Sequence, residues 1–174
     1  METNYFEITN NLIFLSTHMD AVDLRLLGVL QQDASLTNQA LAERAGVSPA
    51  TALRRVKALD DAGVIERRVA LLNPAAFGPL LTALVELTLD RQGAEHLEAF
   101  ERRAVAASEV QQCYRTSPGP DFLLVLQVRD MDAYADLAQR LFTQDANVRN
   151  VKAFFSVKRA KFLPALPLPP TSEA

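Results

Sequence analysis

The sequence predicts an α+β protein in two parts, three short helices followed by a β-α-β-β-α-β sandwich. Three observations carry that reading. Apolar residues recur at helical spacing from Asp20 to about Ala62. The period then shifts toward extended chain after Gly63. Beyond Gly78-Pro79, four apolar extended stretches alternate with two helical ones in the order strand, helix, strand, strand, helix, strand. With 174 residues, 49% apolar and 22% charged, the chain is long and apolar enough for two small domains with their own cores.

The first helix is expected from Asp20 to Gln32, where Val22, Leu26, Leu27, Val29 and Leu30 form an apolar stripe. Asp33-Ala34-Ser35 ends it. The second spans Thr37 to Ala45, with Thr37 as N-cap and Leu41 and Ala45 facing inward. Gly46 supplies the turn, because a glycine takes the left-handed backbone without a Cβ clash. Ser48-Pro49 restarts the helix with a serine cap and a proline at the first position, where no N–H is needed. The third helix runs to about Asp61, and Gly63 closes it. Val64-Ile65 and Val69-Ala70-Leu71-Leu72 read as extended, punctuated by Asn73-Pro74.

In the second part the strands are expected at Leu80–Leu89, Val110–Thr116, Phe122–Val128 and Val148–Val157, and the helices at Ala94–Ala107 and Met131–Phe142. This is the ferredoxin-like order, an antiparallel sheet with both helices on one face. The other face has no helix to cover it, yet Leu80–Leu89 and Phe122–Val128 are apolar on both sides. An uncovered apolar face needs a partner, so self-association is expected through it. The expected domains are thus 19–63, a linker at 64–78, and 79–163. Residues 1–18 read as an N-terminal extension outside the fold: a mobile arm, a vector-derived leader, or a stretch upstream of a natural start at Met19. The tail at 164–174 holds four prolines and is expected to be extended and mobile.

The remaining composition excludes several classes. A net charge of −3 and a pI near 5.4 rule out a uniformly basic nucleic-acid protein, while leaving room for a local basic patch. Cys113 is the single cysteine, so no intrachain disulfide forms, which fits a reducing, cytoplasmic setting. No apolar run spans a bilayer, and no basic start precedes Leu12-Ile13-Phe14-Leu15, so neither a membrane partner nor a secretory signal is expected. His18 and His96 are far apart, and there is no HExxH, CxxC, Walker loop or GxGxxG; no metal and no cofactor are expected. Cys113, in a strand without a neighbouring histidine, reads as a small buried residue rather than a nucleophile.

The third helix carries the chemistry. Projected at about 100° per residue, it puts Ala52, Leu53, Val56 and Leu59 on one side. Thr51, Arg54 and Ala58 fall opposite, with Ala50 beside them and Arg55 and Lys57 on the flanks. From Ser48 to Leu59 there are three cations and no acid. Such a helix fits the major groove of double-stranded DNA: small residues let the backbone approach, Arg54 matches guanine O6 and N7, and Thr51 meets a base edge. Arg55 and Lys57 are assigned to phosphates. Ser48 and Pro49 complete the contact set, because free N–H groups at the helix start suit a phosphate. A solvated basic helix in a plain three-helix core would look the same from this helix alone. The preceding helix, the glycine turn and the Ser-Pro start tip the balance to DNA binding by a three-helix winged/helix-turn-helix domain.

These residues resemble the Lrp/AsnC, or feast/famine, transcription regulators. The likeness rests on Met19-Asp20-Ala21-Val22-Asp23, Leu41-Ala42-Glu43-Arg44-Ala45-Gly46-Val47-Ser48, Leu53-Arg54-Arg55-Val56 with Leu59, and Ala62-Gly63-Val64-Ile65. Ala70-Leu71-Leu72-Asn73-Pro74 with Phe77-Gly78 matches the family linker, and the likeness extends over roughly 19 to 163. It implies a regulator that dimerises through its sheets, assembles to tetramers or octamers, and binds an amino acid between subunits.

The family's effector loop has a glycine, two variable residues, an aspartate and an aromatic. Here Asp121 and Phe122 match, but Pro118 stands at the glycine position and Gly119 follows it. The resemblance implies an effector site in which Asp121 accepts from an α-ammonium while Thr116, Ser117 and the Gly119 N–H serve a carboxylate, beside Phe122. The two prolines remove N–H donors from this loop, and a plain tight turn between strands is the competing account. Two other functions compete with the regulator: an architectural DNA-compacting protein without effector, and an enzyme like the siroheme decarboxylases that keep a helix-turn-helix. The second would want histidines around a macrocycle, and the second domain has His96 alone.

Overall fold

The computed structural model describes residues 19–169, so the expected extension at 1–18 and the last five residues lie outside it. The described chain forms two compact units: 19–70 together with 163–169, and 71–162.

The first unit is the three-helix domain, with α1 Ala21–Gln32, α2 Asn38–Ala45 and α3 Pro49–Asp61. Each start is set by a side-chain cap, as the sequence suggested for α2 and α3. Asp20 accepts from Val22 N and Asp23 N, and Asp23 returns the bond to Asp20 N, a reciprocal capping box on α1. Thr37 caps α2 and Ser48 caps α3. Gly46 sits at φ +67°, and Arg25 Nε donates to Ala45 O at 3.0 Å, so the α2–α3 turn is tied to α1. Leu26, Leu41, Ala42, Ala45 and Ala52 form the core, with Val22, Val29, Leu30, Leu36, Val47 and Val56 packed around them. Val64 to Leu72 carries no helix or strand, and Asn73 then caps a short 3₁₀ turn at Pro74–Phe77 that the sequence reading did not specify.

Residues 163–169 also belong to this unit, a correction to the expected free tail. They carry no helix or strand, in keeping with Pro164, Pro167 and Pro169. Leu166 is nevertheless pinned to α1, its N–H donating to Gln31 Oε1 at 2.6 Å and its C=O accepting from Gln31 Nε2 at 3.3 Å.

The second unit has the expected β-α-β-β-α-β order: β1 Leu81–Leu89, α4 Ala94–Ala106, β2 Val110–Arg115, β3 Phe122–Val128, α5 Met131–Ala138 and β4 Val148–Phe155. The antiparallel sheet is ordered β2-β3-β1-β4. The helix after Met131 is α-helical only to Ala138 and widens into a π turn over Gln139–Thr143. Alternation sorts the sheet residues. Ala83, Val85, Leu87 and Leu89 of β1, with Phe122, Leu124, Leu126 and Val128 of β3, are buried with Phe100, Ala104 and Leu137 of the helices. On the opposite face Leu84 pairs with Phe154 on one side and Val125 on the other, and Leu123 pairs with Tyr114. Leu84, Leu123, Tyr114 and Phe154 are each 39–53% exposed, so the apolar uncovered face inferred from alternation is present.

Candidate functional site

The outward strip of α3 consists of exposed Ser48, Pro49, Ala50, Arg54, Lys57 and Ala58, with Thr51 half-buried. Ser48 Oγ accepts from Thr51 N at 3.2 Å and lies 2.9 Å from Thr51 Oγ1, so the first turn is locked by its own side chains. Asn38 at the start of α2 donates to Pro49 O at 2.9 Å, which fixes the start of α3 against α2. Arg54 makes no ion pair among the described residues, and Lys57 makes only a loose, exposed one with Asp61 at 3.3 Å. The strip is therefore small at its ends, cationic in its middle and open.

Two assignments change. Arg55 is turned inward: its Nη2 lies 2.8 Å from Asp20 Oδ2 and its Nη1 3.2 Å from Asp23 Oδ2. Its guanidinium is paired with the capping box of α1 and is not free as the sequence reading expected. The cause is angular. Position 55 lies only about 60° from Ala52 around the helix, whereas Lys57 lies about 140° away. Leu53, placed inside by the sequence reading, is 62% exposed, since at about 100° from Ala52 it misses the core. It is an exposed apolar side chain next to Arg54 that the sequence reading overlooked, and the same projection would have found it.

The acidic side of this clamp responds to its bonds. The Asp20 carboxyl is held below the usual carboxylate range, first by the backbone hydrogen bond from Asp23 and then by the charge of Arg55.

The β2–β3 loop brings most of the expected effector residues together. Thr116 N donates to Asp121 O at 3.0 Å and its hydroxyl to Pro120 O, so the loop closes on itself across a cis Ser117-Pro118 bond. Gly119 has φ +128°, a backbone region that only glycine enters without strain. Ser117 and Gly119 are exposed, and neither makes a hydrogen bond among the described residues. Asp121 is half-buried, and its Oδ2 accepts from Leu89 N at 2.7 Å and Gln92 Nε2 at 3.2 Å. It ties this loop to the end of β1, which occupies one of its two oxygens. Phe122 is fully buried, its ring 4.8 Å from that of Phe100, so it is core and not part of an effector surface. Cys113 is half-buried and its thiol pKa is raised, first by desolvation, in keeping with a packing role. No cluster of metal-ligating side chains occurs among the described residues. Nor is any helix among them long and apolar enough to cross a membrane.

A capped, basic, open α3 on a three-helix unit, joined to a separate α+β sandwich, has the make-up of a helix-turn-helix DNA-binding protein with a second domain. Comparison with known proteins narrows this. Residues 19–66 match the winged helix-turn-helix DNA-binding model, and residues 82–166 the Lrp/AsnC ligand-binding domain. A Haemophilus influenzae HTH-type transcriptional regulator is 36% identical over 148 residues, covering 85% of this chain and 88% of that one. The leucine-responsive regulatory protein of Rhizobium meliloti is 35% identical, covering 82% and 92%. The crystal structure of an AsnC family regulator from Agrobacterium tumefaciens aligns with a TM-score of 0.80 at 32% identity, covering 86% of this chain and 97% of that one. A Neisseria meningitidis regulator in complex with L-methionine aligns at 0.79 and 31%, covering 86% and 96%. This chain belongs to the Lrp/AsnC family of DNA-binding transcription regulators.

Proposed function

We propose that this regulator reads double-stranded DNA with the outer face of α3 and that an amino acid bound at the β2–β3 loop, between subunits, adjusts the reading. The observation that supports it best is the contrast between neighbours on α3: Arg54 is exposed and unpaired among the described residues, while Arg55 is paired inward. The helix is anchored from behind and leaves one guanidinium for base edges, with Thr51 and Leu53 beside it and Lys57 for phosphate. The effector reading is supported by the methionine complex of the Neisseria relative. In this chain, the exposed Ser117 hydroxyl and Gly119 N–H suit a carboxylate, and the second oxygen of Asp121 suits an ammonium. Pairing of two copies through the uncovered sheet face would complete such a site and double the number of α3 helices on one body. A protein that reads chromosomal DNA would work in the cytoplasm.

The test is a pair of titrations. Arg54→Ala is expected to lose about 1–3 kcal/mol at a selected duplex and to relax base preference. A thermal-shift screen of the twenty amino acids is expected to find at least one that raises the melting temperature, since a ligand of the native state must do so. Unaltered preference in Arg54→Ala, or twenty flat melting curves, defeats the corresponding half of the reading.

A further inference from the structure

From Ala146 to Ser172 the chain carries Arg149, Lys152, Lys158, Arg159 and Lys161 and no acid, in a protein of net charge −3. These cations fall into two groups. Arg149 and Lys152 lie in β4 and face carboxylates, Asp90 at 4.0 Å and Glu86 at 3.9 Å. Lys158, Arg159 and Lys161 are exposed and make no ion pair among the described residues; Arg159 lies only over the Phe162 ring, at 5.1 Å. Guarding a strand edge does not account for them. β4 ends at Phe155, and Ser156 N to Thr82 O at 2.9 Å is the bond after which the chain leaves the sheet. Three like charges within four residues repel one another, and a polyanion relieves that repulsion.

The chain that follows belongs to the helical unit, the part that binds DNA, and DNA is the polyanion at hand. Leu166 is held to Gln31 by both of its backbone groups, and Leu168 Cδ1 lies 3.9 Å from where a Cβ on Gly28 would be. Lys161 is five residues before that anchor, a reach of at most about 17 Å.

We propose that Lys158, Arg159 and Lys161 form a second contact to the phosphate backbone of double-stranded DNA. This rests on the reading of α3 as the groove helix. The segment neutralises phosphates and displaces counterions without reading bases, so it adds affinity and salt dependence while leaving sequence preference alone.

The test uses the full-length protein, a duplex selected by the wild type from a random library, and a scrambled duplex of equal length. The triple variant Lys158→Ala, Arg159→Ala, Lys161→Ala is expected to lower the slope of log affinity against log salt by about 2–3 on both duplexes. Its ratio of affinities between the two should equal that of the wild type. A wild-type slope in the triple variant overturns the proposal. Arg54→Ala separates the two failures: if it collapses the ratio while the triple variant keeps its slope, only the second contact falls. If neither variant changes binding, the α3 reading falls too.

Discussion

Arg55→Ala separates two roles that look alike in the sequence. If the guanidinium contacts phosphate, its loss lowers the salt slope of DNA binding; if it clamps α3 to the start of α1, its loss loosens the helical unit instead. The structure puts it between Asp20 at 2.8 Å and Asp23 at 3.2 Å. An exposed ion pair contributes under about 1 kcal/mol, whereas breaking a fully buried pair costs about 3–5 kcal/mol. The Asp23 side chain is 10% exposed and that of Arg55 30%, so solvent screens part of the interaction. Arg55 Nε is buried without a partner among the described residues, and that unmade bond lowers the net value further. The working figure is about 2 kcal/mol, mostly the penalty of leaving the Asp23 carboxylate unpaired.

Hydrogen exchange reads this directly. The amides of α1 to α3 that exchange by opening of the whole unit are expected to lose about thirtyfold in protection, while those of β1 and β3 keep theirs. The salt slope measured at a temperature where the unit is folded should match the wild type. Lys57→Ala should behave in the opposite way. Its pair with Asp61 is 74% and 65% exposed, so stability changes by under about 0.5 kcal/mol, while the slope falls by about 0.9. An Arg55→Ala protein with full protection and a slope lower by about one would refute the clamp and return this residue to the phosphates.

Three other outcomes follow from the same geometry. Ser48→Ala removes the acceptor for Thr51 N and should destabilise the helical unit by about 1 kcal/mol, with Ser48→Asp restoring it; equal denaturation midpoints for all three proteins would contradict the cap. Asp20 is held below its ordinary pKa when folded, so its stabilisation is complete above about pH 4 and is lost as pH falls through the lowered value. The helical signal in far-UV circular dichroism should therefore weaken on the acid side less steeply in Asp20→Asn than in the wild type, and matching acid profiles would exclude the link. Asp121→Ala strips the acceptor from Leu89 N and Gln92 and should cost the sandwich about 1–3 kcal/mol and abolish any amino-acid-induced melting shift. A full shift in that variant would remove Asp121 from the effector site.

Local signals were legible wherever one residue type fits one backbone demand. Thr37, Gly46, and Ser48 followed by Pro49 fixed the ends of α2 and α3, and the alternation in β1 and β3 gave both the core and the open apolar face. On α3 the sequence reading sets Leu53 on the inner side and gives Arg55, on the flank, to a phosphate, and the structure differs on both. Positions about 60° and 100° from the core line answer to whatever neighbour is in reach, here the carboxylates of α1 or nothing. Family likeness points to Phe122 as an effector contact, although its place in the Phe122, Leu124, Leu126, Val128 series puts it on the covered face. The Gln31–Leu166 anchor had no sequence signal. It joins a side chain to a backbone 135 residues away, and no periodicity or composition encodes such a pair.

Charge placement connects these observations. Arg54, Lys57, Lys158, Arg159 and Lys161 account for five of the 18 cations, which leaves thirteen against 21 acids everywhere else. On this reading most of the molecule repels a polyanion, and the two cationic stretches are where it is attracted. That arrangement orients the encounter before any base is read, because a duplex approaching the acidic surfaces is turned away at distances up to about 8 Å in physiological salt. It also explains why an acidic chain can serve as a DNA-binding regulator at all: attraction depends on the local field at the contacting face, and the net charge governs how poorly the remaining surface competes for DNA.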